Sequence, residues 1–247
     1  MRFLTPEWHE ELPSTNTVLL ERVRSGHPVP GGFVLAARSQ TAGRGRYDRR
    51  WQSEAGQNLT FSFLYPAKGD GTRLASLPLA IALGISDTMT GYAIATRVKW
   101  PNDVLIDRAK LSGMLLERTD VPHPEGTPIV VGIGLNVNMN GQTAALIDRP
   151  ATSMYLETGH EYPVEGVLAR ILDTLPTWLD KWEHGGFPAI QHAWEDRCAF
   201  LGESISVGEG HHVQKGRLEG FGANGQLLLR TARGGITEIW AGDVAAI

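Results

Sequence analysis

Between Gln40 and Trp51 the chain reads Gln-Thr-Ala-Gly43-Arg44-Gly45-Arg46-Tyr47-Asp48-Arg49-Arg50-Trp51. Two glycines alternate with arginines, two more arginines follow, and a tryptophan closes the run. Glycine permits close backbone approach to a ligand. Guanidinium groups grip phosphate or carboxylate through paired hydrogen bonds, and free backbone N–H groups ring an anion. Three readings fit this stretch alone: a solvated surface loop, a nucleic-acid patch, or an anion clamp with an aromatic at one end. No apolar residue anchors Gly43 to Arg50, so burial cannot offset the entropy of ordering them. The stretch is expected to be poorly ordered until an anion supplies oxygen partners.

Other groups suit the same kind of ligand. Lys99 and Lys110 sit beside apolar or small residues in strand-like surroundings. Asp103 is a hard oxygen donor suited to Mg²⁺. Asn136 and Asn138 end a glycine-bearing strand. This set suits attack of a carboxylate on an α-phosphate, where both reactants are anions and cations must offset their repulsion. Several other chemistries are excluded. The chain has no Gly-x-x-x-x-Gly-Lys-Ser/Thr and no Gly-x-Ser-x-Gly, so it lacks the phosphate loop and the nucleophile elbow. Gly132-Ile133-Gly134 lacks a third glycine and opens no helix. The histidines show no metal-ligand spacing, and His211-His212 reads as solvated.

The elements that must position these groups follow from local pattern. Ser14-Thr15-Asn16 precedes an apolar run to Val23, a helix N-cap signal, and Gly26 is placed to end the helix. A helix N-terminus also offers N–H groups to an anion. Phe33–Ala37 reads as a buried strand that delivers the chain into the arginine stretch. Asn58–Phe63 alternates: Leu59, Phe61 and Phe63 share one face, Thr60 and Ser62 the other. That small polar face suits solvent or a ligand pocket, which makes Thr60 and Gly132 candidate pocket wall. Leu74–Tyr92 reads as a buried helix. Pro101-Asn102-Asp103 is a turn, and a hairpin follows with Lys110 starting its second strand. Ile129–Asn138 is an apolar strand whose glycines leave room for a close approach. Pro163 to Cys198 is helical, with Pro176 kinking or dividing it and its tryptophans in the core. Four short strands follow Gly202, with a hairpin at Asn224-Gly225.

Composition narrows the class. The chain has 247 residues, a formal net charge of -4, 42% hydrophobic and 20% charged residues, as an ordinary globular protein has. A mildly acidic chain is a poor dedicated nucleic-acid binder, so the basic stretch is a local feature. The single cysteine, Cys198, excludes an internal disulfide and fits a reducing compartment. The N-terminus shows no apolar leader, and no run approaches the ~20 apolar residues of a bilayer span. The expectation is a cytoplasmic protein with no membrane role.

The motifs Ser14-Thr15-Asn16, Gly43-Arg44-Gly45-Arg46 with Arg49 and Trp51, Lys99-Trp100-Pro101-Asn102-Asp103, Lys110-Leu111-Ser112-Gly113 and Gly132-Ile133-Gly134-Leu135-Asn136 occur in this order. Together they resemble the biotin protein ligases. The resemblance implies an α+β fold: a mixed sheet flanked by helices, of the class II synthetase-like type, over residues 1–199. It adds a small SH3-like β-barrel over 200–247. It implies activation of biotin with MgATP as biotinyl-5′-AMP, then transfer to one lysine of a biotin carboxyl carrier protein domain.

Carried over by residue, the resemblance assigns Ser14, Thr15, Asn16, Gln40, Gly43, Thr60, Gly113 and Gly132 to the biotin side. Arg44, Gly45 and Arg46 close over biotin and the acyl phosphate, and Lys110 contacts the acyl-phosphate oxygen. Arg46, Arg49, Trp51, Lys99 and Asn136 serve the nucleotide, and Asp103 is a candidate for Mg²⁺. Two features depart from the family. Asp48 stands where a glycine is usual; Asp tolerates the left-handed backbone better than most residues, but its charge lies beside arginines. The Ser-Thr-Asn motif starts at residue 14, which leaves no room for an N-terminal DNA-binding domain, so a monofunctional ligase without a DNA role is expected. A monomer and a homodimer both remain open. The competing readings are a lipoate–protein ligase and, in another class, a nucleic-acid-binding module using Arg44–Trp51, whose binding would fall steeply with salt.

Overall fold

The computed structural model describes residues 1–26, 28–47, 49–68, 71–209 and 212–247. Asp48 and His211 lie outside the described residues. In chain order the elements are β1 (Glu7–Leu12), α1 (Thr15–Arg24), β2 (Val34–Gln40), β3 (Asn58–Ala67), α2 (Gly71–Leu74), α3 (Leu77–Thr90), β4 (Arg97–Lys99), β5 (Asp103–Ile106), β6 (Ala109–Arg118) and β7 (Thr127–Asn136). They continue as α4 (Gly141–Ala145), α5 (Met154–Thr158), α6 (Val164–Gly185), α7 (Gln191–Arg197), β8 (Ser204–Glu209), β9 (His212–Phe221), β10 (Leu227–Arg230), β11 (Ile236–Ile239) and β12 (Asp243–Ala246). The chain forms two compact units, Met1–Lys68 with Arg108–Pro176, and Gly69–Asp107 with Thr177–Ile247.

The first unit is built on strands in the order β1-β2-β3-β7-β6. β1 runs parallel to β2 and the remaining pairs are antiparallel, so the sheet is mixed. Helix α1 begins where the N-cap signal places it: the Ser14 side chain accepts from the Thr17 N–H, and Gly26 follows the helix with φ +78°. The apolar stripe Leu19, Leu20 and Val23 packs on Leu35, Leu64 and Val130 of the sheet. Burying such a side chain contributes roughly 1.5–3 kcal/mol. Strand β1 carries glutamates and a histidine rather than an alternating pattern, and local reading does not find it. It is held by its ladder to β2 and by Arg22 of α1, which donates to both oxygens of Glu7 at 2.9 and 2.8 Å.

In the second unit α3 is buried along most of its length, starting at Leu77 with Pro78 in its first turn. Helix α6 passes Pro176 without interruption, so that proline neither divides it nor ends it. Trp182 and Trp194 are fully buried and Trp178 nearly so; Trp194 and Phe187 meet Phe221 edge-on. The Trp178 indole N–H donates to Asp87 at 2.7 Å, and Arg197 bonds the other oxygen of that carboxylate at 2.8 Å. The C-terminal strands form an antiparallel sheet ordered β11-β10-β9-β8-β12. The hairpin at Asn224-Gly225 joins β9 to β10, and β12 is a fifth strand beyond the four expected. Among the described residues no pairing of β11 with β12 closes this sheet into a barrel. No described helix is long and apolar enough to cross a membrane.

Candidate functional site

The first unit's ladders align small residues across four strands. Ala37 faces Thr60, Thr60 faces Gly134, and Gly134 faces Gly113. The next row on the same face is Leu35, Ser62, Gly132 and Leu115. Thr60 and Ser62 are 1% and 0% exposed. The polar face of β3 is therefore enclosed, and solvent is not what it meets. Thr60 donates to the Ala37 carbonyl at 3.0 Å.

The start of α1 lies over this floor. The Thr15 N–H and hydroxyl both reach Gln40 Oε1, at 2.8 and 3.2 Å, which joins the helix N-terminus to the end of β2. Ser62 Oγ lies 2.7 Å from Thr15 Oγ1 and 2.6 Å from Asn16 Oδ1. The room that the glycines of β7 leave is taken by the protein's own side chains. A Cβ on Gly132 would come within 2.2 Å of Asn16 Oδ1, and one on Gly134 within 2.3 Å of the Trp51 ring. A glycine in a strand interior commonly marks such an approach.

The arginine stretch returns on itself as a short hairpin. Arg44 and Arg50 form an antiparallel bridge, the Gly45 N–H donates to Arg49 O at 2.7 Å, and the Trp51 N–H donates to Gly43 O at 3.0 Å. These bonds join residues 43–46 to residues 49–51. Arg46 and Arg49 stack on the Tyr47 ring at 4.7 and 5.6 Å. Arg44 pairs with Glu117 at 2.7 Å. The hairpin sets Trp51 over Gly134, and Lys110 Nζ stands 5.8 Å from the centre of the Trp51 ring.

Lys110 is held by backbone bonds on both sides: its N–H donates to Pro150 O at 2.8 Å, and its carbonyl accepts from Thr152 N at 3.0 Å. Asn136 adds to this hold. Its amide donates to the Thr152 and Lys110 carbonyls at 2.9 and 3.3 Å and accepts from Asn58 at 2.9 Å. Asn136 is 4% exposed. Its amide thus serves the backbone that carries Lys110.

One unit contains Ser14, Thr15, Asn16, Gln40, Gly43, Arg44, Gly45, Arg46, Arg49, Trp51, Thr60, Lys110, Gly113, Gly132 and Asn136. Lys99 and Asp103 belong to the other. They face each other on the β4–β5 hairpin with Nζ 3.5 Å from Asp103 Oδ2. Lys99 also donates to Asp243 and to the Val244 carbonyl, both at 3.1 Å. This fastens β4 to β12. Among the described residues no cluster of three or more His, Cys, Asp or Glu side chains is arranged to hold a metal. Cys198 is buried, and burial pushes its thiol up to about 12, so it supplies no thiolate nucleophile. Glu117 has no role in the sequence reading, and only its position against Arg44 marks it; Gly134 reads from sequence as leaving room for a close approach, and the Trp51 ring is what takes that room.

The family profile described as the biotin/lipoate A/B protein ligase family matches residues 8–138. The biotin–[acetyl-CoA-carboxylase] ligase of Paracoccus denitrificans is 32% identical over 90% of this chain and 94% of its own length. The enzyme of the same name from Mycobacterium tuberculosis is 33% identical over 78% of this chain and 71% of its own. The biotin protein ligase of Aquifex aeolicus, solved in complex with biotin and ATP, superposes with a TM-score of 0.84 at 32% identity, covering 98% of both chains. The chain belongs to the biotin/lipoate A/B protein ligase family.

Proposed function

We propose that this enzyme activates biotin with ATP and transfers it to a lysine of a biotin carboxyl carrier protein domain. The observation that carries the reading is one sheet face: the start of α1 and Trp51 of the arginine hairpin cover its small-residue floor, and Lys110 Nζ stands 5.8 Å from the centre of the Trp51 ring. In the first step a biotin carboxylate oxygen attacks the α-phosphorus of ATP, and pyrophosphate leaves. In the second the carrier amine attacks the acyl carbon, AMP leaves, and the amine loses a proton. Both steps gather negative charge, which Lys110, Arg44 and Arg46 offset from fixed positions.

Ser14, Thr15, Asn16 and Gln40 with Gly43, Thr60, Gly113 and Gly132 form the biotin side. Arg46, Arg49 and Trp51 form the nucleotide side. Mg²⁺ enters with ATP as part of the substrate. The Asp103 carboxylate is paired with Lys99, so the reading needs no resident ion there. Asn136 serves the nucleotide indirectly, by holding the Lys110 backbone, and Lys99 is assigned to the nucleotide phosphates on its motif alone. Residues 1–199 carry the chemistry, and 200–247 form an accessory β-domain. The reading places the enzyme in the cytoplasm as a monomer or homodimer and gives it no DNA or membrane role.

Biotin-dependent exchange of labelled pyrophosphate into ATP tests the reading. Exchange with biotin and none with lipoate is expected. Exchange with lipoate alone would move the enzyme to the lipoate branch of the family.

A further inference from the structure

Glu117 lies on β6 beyond Gly113, and none of the roles above uses it. Its Oε2 accepts from two donors distant in sequence: Arg44 Nη2 at 2.7 Å and Asn16 Nδ2 at 2.9 Å. Asn16 Nδ2 also donates to the Leu115 carbonyl at 3.1 Å, and Asn16 Oδ1 lies 2.6 Å from Ser62 Oγ. Both ends of the Asn16 amide are thereby fixed, in space that only a glycine at 132 leaves open. The carboxylate joins the first arginine of the hairpin to the first turn of α1. The Arg44 and Glu117 side chains are 44% and 24% exposed. A pair this exposed adds little to global stability, so its effect is local.

We propose that Glu117 is a positioning residue that ties the arginine hairpin to the start of α1 through Arg44 and Asn16. This role rests on the biotin-ligase reading, in which the tie sets the hairpin's closed position over the biotin side. Arg44 then points where the acyl phosphate forms, and Asn16 is a strut rather than a direct ligand.

Trypsin cleaves after arginine, and the hairpin carries Arg44, Arg46, Arg49 and Arg50. The test compares nicking of the unliganded wild-type protein and Glu117→Gln, with cleavage after Arg230 at the end of β10 and after Arg233 in the β10–β11 turn as an internal control. Cleavage rates track the population of the locally open segment, so loss of one half-exposed charged pair should speed hairpin nicking about five-fold. Control cleavage and Tm should not change. Glu117→Asp keeps the charge and should fall between the two. Unchanged hairpin nicking in Glu117→Gln would overturn the proposal. So would a rise at the control sites in step with a fall in Tm, because Glu117 would then support the fold at large. No biotin or ATP is present, so a wild-type protein without biotin-dependent exchange would sink the functional reading while the nicking result still decided the role of Glu117.

Discussion

The Trp51 indole occupies the space that a β carbon on Gly134 would need. Such a carbon would stand 2.3 Å from Cε2 and 2.7 Å from Nε1 of the ring. Gly134 is thus the seat of Trp51, and the Trp51 ring in turn lies 5.8 Å from Lys110 Nζ. Small-to-large changes in packed sites cost roughly 1–3 kcal/mol, and here the cost falls on the aromatic wall. Gly134→Ala should reduce biotin-dependent exchange at least ~10-fold, one tenfold step being ~1.4 kcal/mol of barrier. In a Trp51→Ala background the same change should cost little more, because coupled residues are not additive. Equal losses in both backgrounds would show that Gly134 does something other than seat the ring.

Lys110 is expected to act in adenylation through its charge. Lys110→Ala should lower pyrophosphate exchange by ~10² or more, as removal of a preorganised electrostatic group does. Its Tm should change little, since the backbone bonds of residue 110 to Pro150 and Thr152 do not involve the side chain. Normal exchange in the folded variant would remove Lys110 from the chemistry.

Asn136 offers a sharper distinction. Both of its amide donors serve backbone carbonyls. Asn136→Asp would set an acceptor-only group against those carbonyls, at a cost of about 1–3 kcal/mol for each buried group left unsatisfied. The expected result is a clear fall in Tm together with reduced exchange, as the Lys110 backbone loses its hold. An unchanged Tm with a raised KM for ATP would return Asn136 to direct nucleotide binding.

The Glu7 carboxyl is held down to about 2, first by hydrogen bonding from Arg22 and then from His9. A depressed carboxyl stabilises the fold above the ordinary carboxylate value of 4.5 and loses that contribution as pH falls toward 2. The Glu7 side chain is 39% exposed, so solvent screening limits the contribution to the ~0.2–1 kcal/mol of a surface pair. Thermal melts of wild type and Glu7→Gln should differ at neutral pH, with wild type higher, and converge across that acid window. A difference that persists at the acid end would mean that packing, not charge, ties β1 to α1.

Local chemistry was legible in the sequence wherever it rests on neighbours along the chain. The Ser14 cap, the alternation of β3 and the Asn224-Gly225 hairpin each depend on residues a few positions apart, and the arginine, lysine and glycine motifs are each short runs whose order is read directly along the chain. The family, and with it the fold class and the reaction, followed from that order. What the tertiary structure decided rests on register and on contacts between distant segments. Strand β1 has no periodicity of its own and exists because β2 supplies its hydrogen bonds. The enclosure of Ser62 depends on α1 lying across it. Pro176 reads as a kink or a division, and α6 continues through it undivided. The ladders bring Thr60, Gly134 and Gly113 into one row, and a slip of one residue would turn every side chain to the other face. Glu117 lies 73 residues from Arg44 and 101 from Asn16. No local pattern encodes a carboxylate shared across such separations; only the folded sheet brings its partners within hydrogen-bond reach.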